Sequence, residues 1–155
     1  MEYKIHSYSD SDYDALNEML AICFHQDYKM PLTKEQLDMW QNTLIRYASA
    51  EVVFIDILTI DDAAQGFILY QIDSPESDWC VKEGYGFIRE LYVAANLRGR
   101  GYGKALVSHA ESQLKRRCVP RIYLTTDDAT DFWIKMNYQD SGEICSSNNM
   151  PIFIK

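Results

Sequence analysis

The sequence predicts a mixed α/β fold in which a central strand passes through a glycine-rich turn into an amphipathic helix. Three observations carry that expectation. Phe87, Ile88, Leu91, Tyr92 and Val93 give the β-branched and aromatic density of a buried strand. Leu106, Val107, Ala110 and Leu114 recur at three- and four-residue spacing, as one face of a helix does. Between them, Leu97-Arg98-Gly99-Arg100-Gly101-Tyr102-Gly103-Lys104 alternates glycine with larger residues, so the backbone there reaches conformations closed to other side chains.

Taken in order, residues 3–9 alternate as a first strand, and Asp10 or Asp12 can cap a helix to about Phe24, with Leu16, Met19, Leu20 and Cys23 on one stripe. After Pro31, Thr33-Lys34-Glu35-Gln36 reads as a capping box opening a second helix to about Ala48, with its stripe at Leu37, Trp40, Leu44 and Tyr47. Residues 52–60 and 66–72 read as strands joined in a hairpin around Asp61-Asp62. The acid-rich segment 73–83, with Pro75, is expected to be an exposed loop leading into the central strand. The helix after the glycine turn should end near Lys115-Arg116-Arg117, whose cations suit its dipole, before Val119-Pro120. Residues 121–126 form a fifth strand, followed by a short helix over about 129–136 and a strand pair at 138–146 and 151–154.

The 155 residues suit a single domain, 1–155, able to bury about 68–70% of its unfolded surface. A hydrophobic fraction of 47% and a charged fraction of 25% are ordinary for a soluble globule. A net charge of −8 argues against a general nucleic-acid or anionic-membrane binder and is compatible with cationic substrates. Cys23, Cys80, Cys118 and Cys145 are isolated, as in a reduced cytoplasmic protein, and His6, His25 and His109 have no metal-ligand spacing, so no metal is expected. There is no signal-like N-terminus, no apolar run near the 18 or so residues that span a bilayer, and no repeat or linker.

The turn is chemically informative. Unpaired N–H groups at a helix start, the positive end of the dipole and the cations Arg98, Arg100 and Lys104 together suit a phosphate or pyrophosphate. A Walker loop is excluded because Ala105 follows Gly103-Lys104 and Arg98 stands where the first glycine belongs. A dinucleotide fingerprint fails in both registers, which put Lys104 or Leu106 at the third glycine. What fits is [QR]-x-x-G-x-[GA] as Arg98-Gly99-Arg100-Gly101-Tyr102-Gly103, after a strand ending Leu91-Tyr92-Val93. In this the chain resembles the GCN5-related N-acetyltransferase (GNAT) superfamily, whose glycine turn binds the pyrophosphate of acetyl-coenzyme A. The resemblance extends over almost the whole chain. It implies a mostly antiparallel sheet of about seven strands flanked by helices, with parallel strands 4 and 5 splayed around the coenzyme. Coenzyme contacts are then expected from Leu91, Tyr92, Val93, Arg98, Gly99, Arg100, Gly101, Tyr102, Gly103 and Lys104.

A second signature of the superfamily, N-x-x-A-x-x-F-Y-x-x-x-G-F, is similar to residues 126–138, where Ala129 and Phe132 match and Tyr138 replaces a phenylalanine. Asn137 replaces the glycine that ends the helix and tolerates the same left-handed conformation. Thr126 stands for the asparagine that bonds the pantetheine arm, and Trp133 for the tyrosine assigned as general acid. The resemblance implies direct attack of an amine on the acetyl thioester. Glu90, the one acid in residues 87–93, is the candidate general base, its alternative being an outward-facing or arginine-paired carboxylate. Backbone N–H groups around Leu91 to Val93 would hold the oxyanion. The acceptor is a primary amine of a small molecule or peptide, expected to be cationic, bordered by Glu35, Asp38, Asp73, Glu76 and Asp78, with Tyr28, Trp40 and Tyr47 either contacting it or packing in the core. A homodimer is left open by the resemblance. The other reading is a non-catalytic protein of the same fold that binds an acyl-coenzyme A as sensor or scaffold, motivated by Thr126 and Trp133.

Overall fold

Strand β1 (Tyr3–Ser7) leads through a 3-10 turn at Asp10–Asp12 into α1 (Tyr13–Ile22), a π turn at Cys23–Asp27 and α2 (Lys34–Ser49). Strands β2 (Val53–Ile60), β3 (Ala63–Ile72) and β4 (Gly86–Val93) follow, then α3 (Tyr102–Arg116), β5 (Ile122–Thr125), α4 (Thr130–Lys135), β6 (Gln139–Ile144) and β7 (Pro151–Ile154). This computed structural model describes residues 2–155. The seven strands form one sheet in the order β1-β2-β3-β4-β5-β7-β6, and every pair is antiparallel except β4–β5. That is the mixed sheet, with its fourth and fifth strands parallel, that the family resemblance implies.

Local chemistry accounts for the element ends. Ser9 N–H donates to Asp12 Oδ2 at 2.9 Å instead of to a neighbouring strand, so β1 stops at Ser7, two residues early. Tyr28 N–H reaches back five residues to Cys23 C=O at 3.1 Å, and this widened turn ends the regular α1 at Ile22 rather than Phe24. The capping box forms as read: Gln36 N–H donates to Thr33 Oγ1 at 3.1 Å, and Thr33 N–H to Gln36 Oε1 at 3.0 Å. Asp61 and Asp62 take φ of 50° and 65°, the left-handed pair of a tight hairpin turn. Asn137 has φ 70°, filling the left-handed position after α4.

Alternation along the strands makes two apolar layers. On one face Leu58, Ile68, Ile88 and Val93 meet Leu106, Val107, Ala110 and Leu114 of α3. On the other, Ile55, Ile57, Phe67, Leu69 and Tyr92 meet Leu16, Leu20, Leu37 and Leu44 of α1 and α2.

The 73–85 loop corrects a reading. Asp73 is buried, not part of an acidic pocket rim: one carboxylate oxygen accepts from Val81 N–H and Lys82 N–H, both at 2.9 Å, and from the Tyr123 hydroxyl. Trp79 Nε1–H donates to the same Tyr123 hydroxyl at 3.0 Å, and its ring stacks on Phe87, which stacks on Tyr123. The loop is thereby tied to the base of β4 and β5. Asp78 forms a two-pronged ion pair with Arg89, at 2.7 and 3.1 Å, and Asp38 pairs with Lys34 at 2.6 Å. Three of the five acids expected at the rim are therefore engaged within the protein.

Candidate active site

β4 and β5 touch over only two residue pairs, Gly86 with Ile122 and Phe87 with Tyr123. Gly86 makes that contact feasible, since a Cβ there would lie 2.9 Å from Leu114 and 3.2 Å from Ile122. Beyond Phe87 the strands part. The register on the β3 side explains why: Leu69 pairs with Glu90 but Tyr70 pairs with Ile88, so Arg89 is an extra residue, a β-bulge.

The bulge also decides where Glu90 points. Cross-strand partners share a face; Tyr70 belongs to the α3 layer and Leu69 to the α1–α2 layer, so Ile88 faces α3 and Glu90 faces α1 and α2. Unbroken alternation from Ile88 would have put Glu90 on the α3 face. The half-buried carboxylate accepts a hydrogen bond from the Tyr28 hydroxyl at the end of the π turn. Burial pushes its pKa up to about 7, opposed by the Tyr28 hydrogen bond and the Arg89 charge. Tyr28 is itself held far above the ordinary tyrosine range, first by burial and then by the Glu90 charge. The neighbouring Cys23 thiol is pushed up to about 12 by burial and by Glu90 and Asp27, so it stays protonated and is no nucleophile. Phe24 packs edge-to-face on both Tyr28 and Trp40, with centroids 5.5 and 5.1 Å apart, forming an aromatic wall beside Glu90.

The other edge of β4 faces the gap. Ala94 N–H donates to Gln65 C=O at 2.9 Å, toward the β3 side, and strand backbone groups alternate, so the N–H groups of Leu91 and Val93 point into the splay. Tyr92 and Val93 are buried by their side chains, while Leu91 is half-buried beside Gly103 and Phe132. At the end of the strand Arg98 folds back: Nε–H donates to Val93 C=O at 2.8 Å, the guanidinium pairs with Asp27 at 3.0 Å, and it lies 5.7 Å from the Tyr92 ring centre. Arg98 thus ties the turn to β4 and the π turn, leaving Arg100 and Lys104 as the exposed cations of the turn that have no ion-pair partner among the described residues.

Gly99 and Gly101 have φ of 77° and 90°, so they need glycine for backbone reasons, and a Cβ on either would meet nothing within 4 Å. Gly101 is the N-cap of α3, and Ala105 N–H is the first to find a partner, Gly101 C=O at 3.0 Å. Among the described residues the N–H groups from Gly99 to Lys104 donate to nothing else. A pyrophosphate fits this arrangement: free amides, a helix dipole behind them, open space over the glycines and two exposed cations. Tyr102 instead packs edge-to-face on Tyr3.

Thr126 and Trp133, two of the positions that depart from the superfamily pattern, are turned inward. The Thr126 hydroxyl accepts from Ala129 N–H at 3.4 Å and so helps shape the entry to α4. Trp133 is 7% exposed and packs edge-to-face on Phe132 and Tyr138 in the α3-side core. Phe132 lies against Gly103, 3.5 Å from where a Cβ would be. The Asp27–Arg98 and Tyr28–Glu90 contacts join residues 71 and 62 apart, and no local sequence signal announces them. Among the described residues no three His, Cys, Asp or Glu side chains gather as a metal set, and no helix is long and apolar enough to cross a membrane.

Comparison with known proteins agrees with this geometry. The whole chain superposes on a PaiA N-acetyltransferase of Thermoplasma acidophilum in complex with coenzyme A, with a TM-score of 0.76 at 16% identity over 99% of that chain. An acetyltransferase of the GNAT family from Staphylococcus aureus Mu50 gives 0.77 at 15% identity, covering 99% of this chain and 98% of that one. Ard1 of Thermoplasma volcanium gives 0.72 at 16%, covering 100% and 97%. At these identities the likeness is one of fold. No match was found among curated proteins. The model of the Acetyltransferase (GNAT) family matches residues 13–138, most of the chain and both signature segments, and the protein belongs to that family.

Proposed function

We propose that the protein is an N-acetyltransferase that takes its acetyl group from acetyl-coenzyme A and delivers it to a primary amine of a small molecule or peptide. One observation carries this: β4 presents a carboxylate of raised pKa on one face and free amides on its open edge, and leads directly into the glycine turn. The amides of residues 99–104, with Arg100 and Lys104, would hold the pyrophosphate, and the Leu91 and Val93 N–H groups would position the pantetheine arm and hold the oxyanion. Tyr92, Arg98, Thr126 and Trp133 would support the coenzyme through packing.

An alkylamine with pKa about 10.4 is mostly protonated near neutral pH, and exposing its lone pair costs on the order of 4–5 kcal/mol. Glu90, with a pKa of about 7, is close to the working pH and so is matched to receive that proton. Glu90 passes that proton on to water before the chemical step. The neutral amine nitrogen then bonds to the thioester carbonyl carbon and gives its proton to Glu90, and the carbon–sulfur bond breaks as the departing sulfur takes up a proton to leave as the thiol. The acceptor approaches from the α1–α2 face, past Phe24, Tyr28 and Trp40. A net charge of −8 favours a cationic acceptor, and four cysteines free of disulfides suit a cytoplasmic setting.

A coenzyme-release assay over an amine panel tests the proposal, with saturable release expected for at least one amine. The inward-turned Thr126 and Trp133 favour the second reading, a non-catalytic acyl-coenzyme A binder. Tight binding with no release toward any amine would establish that reading instead.

A further inference from the structure

We propose that Tyr28 is the proton donor of this acetyl transfer, coupled directly to Glu90, so that the pair performs both the basic and the acidic half of the reaction without an acid on α4. The proposal rests on the acetyltransferase reading of the site and adds a catalytic residue to it. Its starting point is a gap in the machinery: Trp133 has only an indole N–H, which does not give up its proton in this range, and the ring is packed in the α3-side core. No other hydroxyl among the described residues bonds to Glu90.

The geometry supplies a substitute. The π turn at Cys23–Asp27 carries the chain outward by one extra residue per turn and delivers Tyr28 to the face of β4 onto which the bulge at Arg89 turns Glu90. Two irregularities 62 residues apart thus make a single contact. The Tyr28 ring is braced by Phe24, itself braced by Trp40, yet the residue remains 43% exposed and so can reach a ligand entering from this side. The charged and titratable neighbours are accounted for. Arg89 is neutralised by Asp78, Arg98 is neutralised by Asp27, and Cys23 stays a thiol. Burial and the Glu90 charge keep the Tyr28 hydroxyl protonated, so it is always a donor.

The proton balance closes within the pair. As the nitrogen–carbon bond forms, Glu90 accepts the amine proton; as the carbon–sulfur bond breaks, Tyr28 gives its hydroxyl proton to the departing sulfur. Glu90, now a carboxylic acid bonded to the Tyr28 oxygen, returns the proton, and both groups regain their starting states. The net change is amine plus thioester to amide plus thiol.

Tyr28→Phe keeps the ring that packs on Phe24 and removes only the hydroxyl. With the best amine found, its kcat should fall about a hundredfold, the low end for a positioned proton donor because a thiolate leaves readily. The coenzyme Kd and the acceptor KM should change little. Because the Tyr28 hydrogen bond stabilises the carboxylate, its loss should move the acid limb of kcat/KM to higher pH by on the order of one unit. A kcat within about threefold of wild type would overturn the proposal. A fall in kcat with an unmoved acid limb would show that the hydroxyl acts without coupling to Glu90 and overturn the proposal equally. A wild type inactive toward every amine would overturn the acetyltransferase reading and this proposal with it, whereas the first two results leave that reading standing.

Discussion

Replacing Gly103 with aspartate should separate stability from coenzyme binding, because the structure gives the two effects opposite signs. Gly103 is the second residue of α3 and, unlike Gly99 and Gly101, does not have a left-handed backbone. An added Cβ would meet Phe132 at 3.5 Å and Leu91 at 4.0 Å, ordinary contacts that need no rearrangement. Removing glycine from a helix gains a few tenths of a kcal/mol even for aspartate, and an acid in a helix's first turn gains about 0.3–1 kcal/mol from the dipole. Gly103→Asp should therefore fold and melt no lower than wild type. The same carboxylate would stand among the free amides offered to the pyrophosphate. At about 5 Å and an effective dielectric near 20, each like-charge pair costs about 3 kcal/mol, and solvent screening reduces this at an exposed turn. A loss of roughly a hundredfold in acetyl-coenzyme A affinity is the expected net result. Calorimetric titration beside a thermal melt measures both. Gly101→Ala is the contrasting control: at φ 90° it should cost about 1–2 kcal/mol of strain and lower the melting temperature by several degrees. An unchanged Kd in a well-folded Gly103→Asp protein would refute the assignment of the turn.

Glu90→Gln should lower kcat by about a hundredfold or more while raising stability at alkaline pH. The native Glu90 pKa lies above the ordinary glutamate value of 4.5, so its carboxyl favours folding below that value and the contribution is lost as pH rises through about 7; melts of wild type and variant should diverge over that window. Asp73→Ala removes the acceptor shared by two backbone amides and Tyr123 and should destabilise by about 3 kcal/mol in urea titration, whereas Asp78→Ala leaves the largely buried Arg89 guanidinium its Gln71 Oε1 acceptor and should cost less. Since Asp38, Asp73 and Asp78 are engaged internally, the KM of a cationic acceptor should rise with salt only through Glu35, Glu76 and the overall charge of −8, and no rise at all would mean that these charges do not steer the acceptor. Trp133→Phe should cost kcat little more than one hydrogen bond, about 0.5–1.5 kcal/mol; a thousandfold loss with folding and coenzyme affinity intact would give Trp133 a catalytic role.

Much of the frame was legible because it is written in local chemistry. The Thr33–Gln36 capping box, the Asp61-Asp62 turn and Asn137 each act through the backbone within a few residues of themselves, and each stands where the sequence puts it. The glycine turn was legible for the same reason: a positive φ at Gly99 and Gly101 is a property of residue type, whatever packs around it. Asp73 was misread because nothing near it distinguishes a solvated loop acid from a buried acceptor. Its partner Tyr123 lies 50 residues away, on a strand that comes close only when β5 pairs with β4.

Glu90 shows the deeper difficulty, and also how a sequence can conceal a site while containing all of it. Period-two alternation assigns every strand residue to a face, and one inserted residue reverses the assignment for everything after it. In β4 the inserted residue is Arg89, whose long polar side chain is drawn away from the apolar layers by Asp78 and by Gln71 Oε1 at 2.9 Å. The loop that supplies Asp78 is in turn anchored through Asp73. The direction of the candidate base is therefore set by a chain of contacts running from a buried loop acid, through an ion pair, to a bulge. Each link is ordinary, and only the folded sheet brings them together. Because the bulge and the parting of β4 from β5 occur at the same place, the step that turns Glu90 toward Tyr28 is also the step that leaves the Leu91 and Val93 amides unpaired. Deleting Arg89 should remove the bulge and let β5 pair further along β4, while Glu90, then next to Ile88, keeps its place opposite Leu69.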